Sequence, residues 1–293
     1  MSKKMLALVL ALVMLLPVLA AAESVTVTDM YGRTVELPEA ATRIVALTAA
    51  DCEILCALGC ETYLVGRGEY CNWPESILSV PVVQSGAETN LEEILALEPQ
   101  VVLMGDMAQA KDVVDALENS GVRVAVSNAD TIQGTYEAIR MIGGLTGKAA
   151  EADALVGDME ASFAAIRLKS ADVGKTVYFE VSPLQWGLWA AGAGTFMDEI
   201  AHMCGLTNIF ADVNGWAAVS EEQVLSRDPD YIVTITMYFG EGPTPVEEII
   251  SRAGWAEVSA VKNGCVVNLD SDMLSRPGPR LVEAAEALME AIR

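Results

Sequence analysis

The sequence predicts an α/β protein of two similar lobes. Each lobe is a mostly parallel sheet flanked by helices; a single long helix joins them, and a ligand cleft lies between. Three observations predict it. Residues 90–103 (NLEEILALEPQVVL) and 220–233 (SEEQVLSRDPDYIV) are two copies of one phrase, 130 residues apart. Aligning Asn90 with Ser220 puts Glu92 on Glu222, Leu95 on Leu225 and Pro99 on Pro229. Each copy opens like a capping box, runs about two helical turns, stops before a proline and enters a β-rich apolar run. Strand-like and helix-like segments also alternate in both halves, the pattern of parallel sheets covered by helices. Finally, the stretch from about Gly147 to Leu168 lacks proline and is rich in Ala, Leu, Glu and Met. It predicts one helix of about 20 residues, some 30 Å long.

The elements follow in order. Lys3 and Lys4 precede the apolar stretch Met5–Leu19, and Ala20-Ala21-Ala22 stands before Glu23. That pattern predicts an export signal over 1–22, cleaved after Ala22; the stretch falls short of the roughly 20 residues a spanning helix needs. The rest divides into an N-terminal lobe (23–145), the interlobe helix (146–170) and a C-terminal lobe (171–293). Val25–Leu37 alternates around Tyr31-Gly32 as a small hairpin or edge strand. Arg43–Leu47 reads as a buried strand, Asp51–Leu58 as a helix closed by Gly59, and Tyr63–Val65 as the start of a strand. The loop 66–89, the first copy, a helix near 108–119 and the strand Val122–Val126 complete the lobe. The second lobe has the strand Thr176–Val181, the loop 182–193, the helix Thr195–Met203 and the second copy. The strand Cys265–Leu269, the loop 270–279 and an amphipathic helix from Arg280 close the chain.

Removing 1–22 takes away two of the 18 basic residues and none of the 41 acidic ones, moving the net charge from −23 to −25. Such a surface repels nucleic acid and anionic lipid and keeps an exported protein soluble. Of the six cysteines, Cys52, Cys56 and Cys60 recur every four residues on a predicted helix, a spacing unsuited to pairing with one another. Small buried core residues are the favoured reading, and a Cys60–Cys71 bridge stays open. Cys71 alone lies on a loop facing the predicted cleft. His202 is the only histidine, which excludes a multi-histidine metal site. Nucleophile-elbow and Walker A motifs are absent, so an enzyme is disfavoured.

The phrases RIVALTAADCEILCALG (43–59), YCNWP (70–74), NLEEILALEPQVVL, GTFMDEIAHMCGLTNIF (194–210), VSEEQVL (219–225) and SRPGPRLVEA (275–284) together resemble one family. It is the helical-backbone substrate-binding proteins that deliver cobalamin, iron chelates or haem to ABC importers. The resemblance covers essentially the whole mature chain and implies two lobes bridged by a rigid helix. YCNWP is closest to the matching segment of cobalamin-binding members. By that match Tyr70, Trp189 and Trp216 would stack on the ligand, and Asp272 and Arg276 would give polar contacts. Gly86 and Gly105 stand where cobalamin binders carry two further tryptophans. Glu92 and Glu222 would pair with permease arginines, one from each lobe. The implied partners are a metal chelate, with a corrinoid favoured over a ferric siderophore or haem, and a permease. No resident cofactor or metal and a monomeric chain are expected. A metallocluster enzyme on the same scaffold is the distant alternative.

The residues have their own logic. Flat aromatic faces bury much area at low rotamer cost, which suits a large planar ligand. Trp73 and Trp186 are divided between ligand contact and packing, and Trp255 is read as core. Arg276 precedes the stiff turn Pro277-Gly278-Pro279 and competes between a ligand and a salt bridge to Asp270 or Asp272. Arg67 is a weaker cationic candidate. A carboxylate at the second helical position, as in Glu92 and Glu222, is favoured by the helix dipole by about 0.3–1 kcal/mol.

Overall fold

The computed structural model describes residues 24–86, 89–105, 111–170 and 174–292. The signal peptide over 1–22 and residues 108–110 of the helix expected near 108–119 lie outside them.

Strands β1 (Val25–Thr28) and β2 (Thr34–Leu37) form the expected antiparallel hairpin. The first sheet contains β3 (Ile44–Ala46), β4 (Leu64–Gly68), β5 (Val82–Val83), β6 (Val101–Met104) and β7 (Arg123–Val126). Its order is β5-β4-β3-β6-β7, and every pairing is parallel. All four residues of β6 are buried, as a strand covered on both faces requires. The second sheet uses β8 (Lys175–Ser182), β9 (Trp189–Ala191), β10 (Leu206–Asn208), β11 (Trp216–Ala218), β12 (Tyr231–Thr234) and β13 (Val266–Asn268). It runs β11-β9-β8-β12-β13, with β10 beside the first half of β8. Here β9 is antiparallel to both β8 and β11, so this sheet is mixed.

The two copies of the repeated phrase fold alike. Helices Leu91–Ala96 and Glu221–Arg227 are capped by Asn90 and Ser220, and residues 91–100 and 221–230 share one burial pattern position by position. Both copies then turn through a left-handed non-glycine residue, Glu98 (φ 48°) and Asp228 (φ 42°), before a buried proline. Only the second copy closes the full capping box. Glu93 instead accepts from the Gln84 amide at 3.1 Å, tying its helix to the preceding loop.

The long helix spans Ala149–Lys169, buries Ala152, Val156, Met159, Phe163 and Ile166, and is packed by helices of both halves. Its partner Ile132–Leu145 was not expected from the sequence. Three glycines weaken its helical propensity, but one is required by packing: a Cβ on Gly143 would lie 2.5 Å from that of Ala152. One apolar cluster runs from Val35 through Phe163 to Leu288 and joins the halves along this helix pair. Separate clusters fill the outer layer of each lobe, around Ile94 and Val102 in the first and around Trp255 and Ile232 in the second. Trp255 is fully buried, as read. No helix among the described residues is long and apolar enough to cross a membrane.

Candidate functional site: the interlobe cleft

Open α/β sheets present ligand sites beyond the carboxyl ends of their strands. In the first lobe Thr48–Ala50, Gly105 and Ser127–Asp130 follow β3, β6 and β7. They face Phe196, Trp216 and Arg276 of the second lobe across a cavity of about 600 Å³. Beyond β8 and β12, Pro183, Trp186, Met237, Tyr238 and Phe239 help to line a trough of about 780 Å³. A cavity of about 370 Å³ shares Met237–Phe239 with that trough and adds Asn72 from the first lobe and Asp270–Asp272 from the second. These volumes fall in the range of small-molecule sites.

Trp186, 76 % exposed, and Phe239, 86 %, line the trough, while Tyr70 (76 %), Trp73 (48 %) and Trp189 (42 %) face solvent beside Asn72 and Pro183, which line these cavities. Large exposed aromatics on segments that border such cavities mark a recognition surface. Trp189 opens β9 opposite Ser182 and Ala218. The Met237-Tyr238-Phe239 part of the rim was missed in the sequence. Its signal was an aromatic run continuing past the end of the strand read at Tyr231–Ile235.

Two of the expected ligand contacts, Asp272 and Arg276, are joined instead to the protein itself. The Arg276 guanidinium is buried; it meets Glu53 Oε1 at 2.9 Å and Asp272 Oδ1 at 2.6 Å, and donates to Asn72 Oδ1 at 2.8 Å and the Tyr70 carbonyl at 3.2 Å. Asn72 donates back to Asp272 Oδ2 at 2.9 Å. Arg280 adds a 3.3 Å contact to Glu53 and lies 4.6 Å over the Trp73 ring. The ion pair weighed against ligand contact is therefore formed, and its reach across the lobes through Glu53 went unforeseen. Burial pushes the Glu53 carboxyl up, and the Arg276 and Arg280 guanidiniums pull it back without cancelling the rise. The loop carrying Tyr70 and Trp73 is thus held by the segment 270–280 of the opposite lobe.

A second link sits at Trp216. Its indole Nε1 donates to Asp130 Oδ1 at 3.1 Å, and its ring lies 5.3 Å from Phe196. The Asp130 carbonyl accepts from the Phe196 amide at 2.6 Å, and Glu199 Oε2 accepts from the Ile132 amide at 2.6 Å. Trp216 is a fixed part of the cleft wall.

Three further expectations are corrected. Arg67 is buried and donates to the carbonyls of Cys71, Ile77 and Leu78, so it shapes the 69–80 loop rather than facing a ligand. Cys71 is 1 % exposed and turned inward. His202, read as a packing residue, is exposed on its helix with Nδ1 2.9 Å from the Asp198 carbonyl oxygen. Among the described residues no cluster of His, Cys, Asp and Glu is able to hold a metal ion.

Glu92 and Glu222 occupy matched positions at their helix starts, and both are exposed. Its own backbone amide and the Ser220 side chain hold the Glu222 carboxyl below the usual range. Neither glutamate has a side-chain ion pair among the described residues.

Comparison with known proteins defines the class. Residues 44–273 match the periplasmic binding protein family, and the chain belongs to it. It is 33 % identical over 275 residues to an uncharacterized ABC transporter substrate-binding lipoprotein, YvrC, of Bacillus subtilis, covering 92 % of this chain and 85 % of that one. It is 29 % identical over 257 residues to a vitamin B12-binding protein of Salmonella typhi, covering 86 % and 91 %. Among solved structures, a possible iron-binding periplasmic protein of Staphylococcus epidermidis superposes with a TM-score of 0.73 at 29 % identity, covering 86 % of this chain and 98 % of that one.

Proposed function

We propose that this chain is an extracytoplasmic solute-binding protein that captures a metal chelate, a corrinoid such as cobalamin by preference, and delivers it to an ABC permease. The observation that carries this reading is the set of exposed aromatics, Trp186 and Phe239 on the trough and Tyr70, Trp73 and Trp189 on neighbouring segments, beside cavities whose walls come from both lobes. A vitamin B12-binding relative matched over most of both chains supports the choice of ligand. So does the state of Arg276, which is already surrounded by acceptors. A neutral, amide-rich corrinoid needs no free cation, whereas a siderophore carboxylate or a haem propionate does. Tyr70 and Trp189 would stack on the ligand from opposite lobes and Trp216 would form the wall between them. Asp272 and Arg276 would act chiefly by holding the Tyr70 loop in place.

Haem is the second reading, because Met237 and Tyr238 are side chains able to ligate its iron and they line the trough. No bond is made or broken in the cycle. Affinity comes from burying the chelate between two largely preformed walls, and release follows when the permease, docked on Glu92 and Glu222, separates them.

Titrating the purified mature protein with cyanocobalamin, ferric siderophores and haemin, and following tryptophan fluorescence, tests the reading. Saturable sub-micromolar quenching by cyanocobalamin is the expected result. Quenching by haemin or a siderophore alone would replace the ligand, and no response to any of them would remove the function.

A further inference from the structure

Cys52 lies in the first turns of the helix Ala49–Ala57, and Cys71 lies 19 positions on, in the loop after β4. The fold brings both sulfurs to one point: Cys52 Sγ is 3.7 Å from the carbonyl oxygen of Ala46, and Cys71 Sγ is 3.8 Å from the same atom. Both side chains are sealed from water, at 0 % and 1 % exposure. Among the described residues no other pair of cysteines shares a partner. Cys60 Sγ turns to Leu58, Cys204 Sγ to Ala285 and Cys265 Sγ to Asn263, each contacting a carbonyl of its own. The backbone of Cys71 is fixed from both sides, its amide donating to the Gly68 carbonyl and its own carbonyl accepting from Arg67 at 2.8 Å.

We propose that Cys52 and Cys71 form a disulfide in the exported protein, stapling the Tyr70–Trp73 loop to the helix whose start lines the interlobe cavity. The proposal stands on the position of the two thiols and is independent of which ligand the cleft takes. A hydrogen bond between the two thiols, followed by burial, pushes the Cys52 thiol well above its ordinary range. Thiolate is therefore scarce at this site once the lobe has closed, and exchange is fastest on the chain before burial. The oxidant is a disulfide donor of the glutathione or protein-disulfide class, as exported chains meet. One cysteine thiolate attacks the donor disulfide and releases one donor thiolate. The second cysteine thiolate then attacks the mixed disulfide, forms the Cys52–Cys71 sulfur–sulfur bond and expels the other. Two cysteine thiols are oxidised, the donor disulfide is reduced to two thiols, and the two cysteine protons pass to them.

The test counts thiols in the full mature chain, exported or refolded in a glutathione redox buffer, then denatured and alkylated without reductant. The expected mass carries four alkyl groups, and digestion yields one linked peptide pair containing Cys52 and Cys71. Six alkyl groups, a linked pair involving any other cysteine, or glutathione left on either residue would each overturn the proposal. Cys56→Ala is expected to take three groups, because the bridge persists. Cys52→Ala is expected to take five, because Cys71 loses its partner. If the second variant fails to fold, the first and the linked peptide still decide.

Discussion

In the first lobe Asp51 is fully buried, accepting from the Thr48 hydroxyl at 2.5 Å, with no ion pair among the described residues. In the second, Glu180 is just as deeply buried but faces Arg252, with two contacts of 2.7 and 2.9 Å. Arg252 is in turn held by Glu248 and lies 4.6 Å over Trp255. Burial raises the Asp51 carboxyl to about 6, against the pull of Thr48 and Ser127. Burial raises Glu180 too, but Arg252 opposes it directly. Asp51 stands next to the cavity wall, whereas the Glu180–Arg252 pair braces the outer layer of its lobe beneath Trp255. One repeated scaffold therefore carries an unpaired buried acid, Asp51, beside acids that arginine compensates, Glu53 across the lobes and Glu180 within the second.

Charge reversal at the matched helix starts gives the largest effect. Glu92→Lys with Glu222→Lys is expected to abolish uptake in a transport assay while leaving ligand affinity unchanged, and each single change is expected to lower uptake by a similar factor. A loss confined to one lobe would break the symmetry. Next, Arg252→Ala leaves Glu180 as an uncompensated buried charge and is expected to cost about 3–5 kcal/mol in denaturant unfolding. Arg276→Ala leaves Glu53 with Arg280 and is expected to cost clearly less, about 1–2 kcal/mol. The Asp51 carboxyl acts with the opposite sign. Because its folded value is raised, its contribution to stability is complete below its ordinary range near 3.8 and is lost as pH rises through about 6. Asp51→Asn should therefore remove that slope between pH 4 and 7 and stabilise the protein at neutral pH by on the order of 2 kcal/mol.

The smallest contrast is the sharpest. Glu98 and Asp228 share a left-handed backbone, which glycine adopts at no steric cost. Asp228 also anchors the start of the helix Ser259–Lys262, accepting from the Ser259 amide at 2.7 Å and its hydroxyl at 2.8 Å. Glu98→Gly is expected to stabilise by about 0.5–1 kcal/mol and Asp228→Gly to destabilise by about 1 kcal/mol. Equal effects at the two sites would contradict this account of the turn.

The architecture was legible because its signals are local. Asn90 and Ser220 cap, Pro99 and Pro229 stop, and the alanine-rich run over 149–169 propagates as a helix. The helix Ile132–Leu145 was not, since its glycines weaken propensity and only contact with Ala152 makes sense of Gly143. The short strands β9 and β11 escaped as well, being three residues each and defined by pairing across the sheet. In the site, the exposed ring at Tyr70 follows from its loop position, whereas Trp189, read in a loop, opens β9. Of the partners of Arg276, Asp272 was within reach of the sequence, but Glu53 was not: it is 223 residues away, and no spacing rule connects them.

A corrinoid gripped by both lobes is tested most directly by equilibrium binding of cyanocobalamin to Tyr70→Ala and Trp189→Ala. Loss of one stacking face is expected to weaken binding by on the order of tenfold in each variant, with thermal stability unchanged because both rings are exposed. An affinity that falls in one variant and is untouched in the other would confine the ligand to a single lobe and contradict the account.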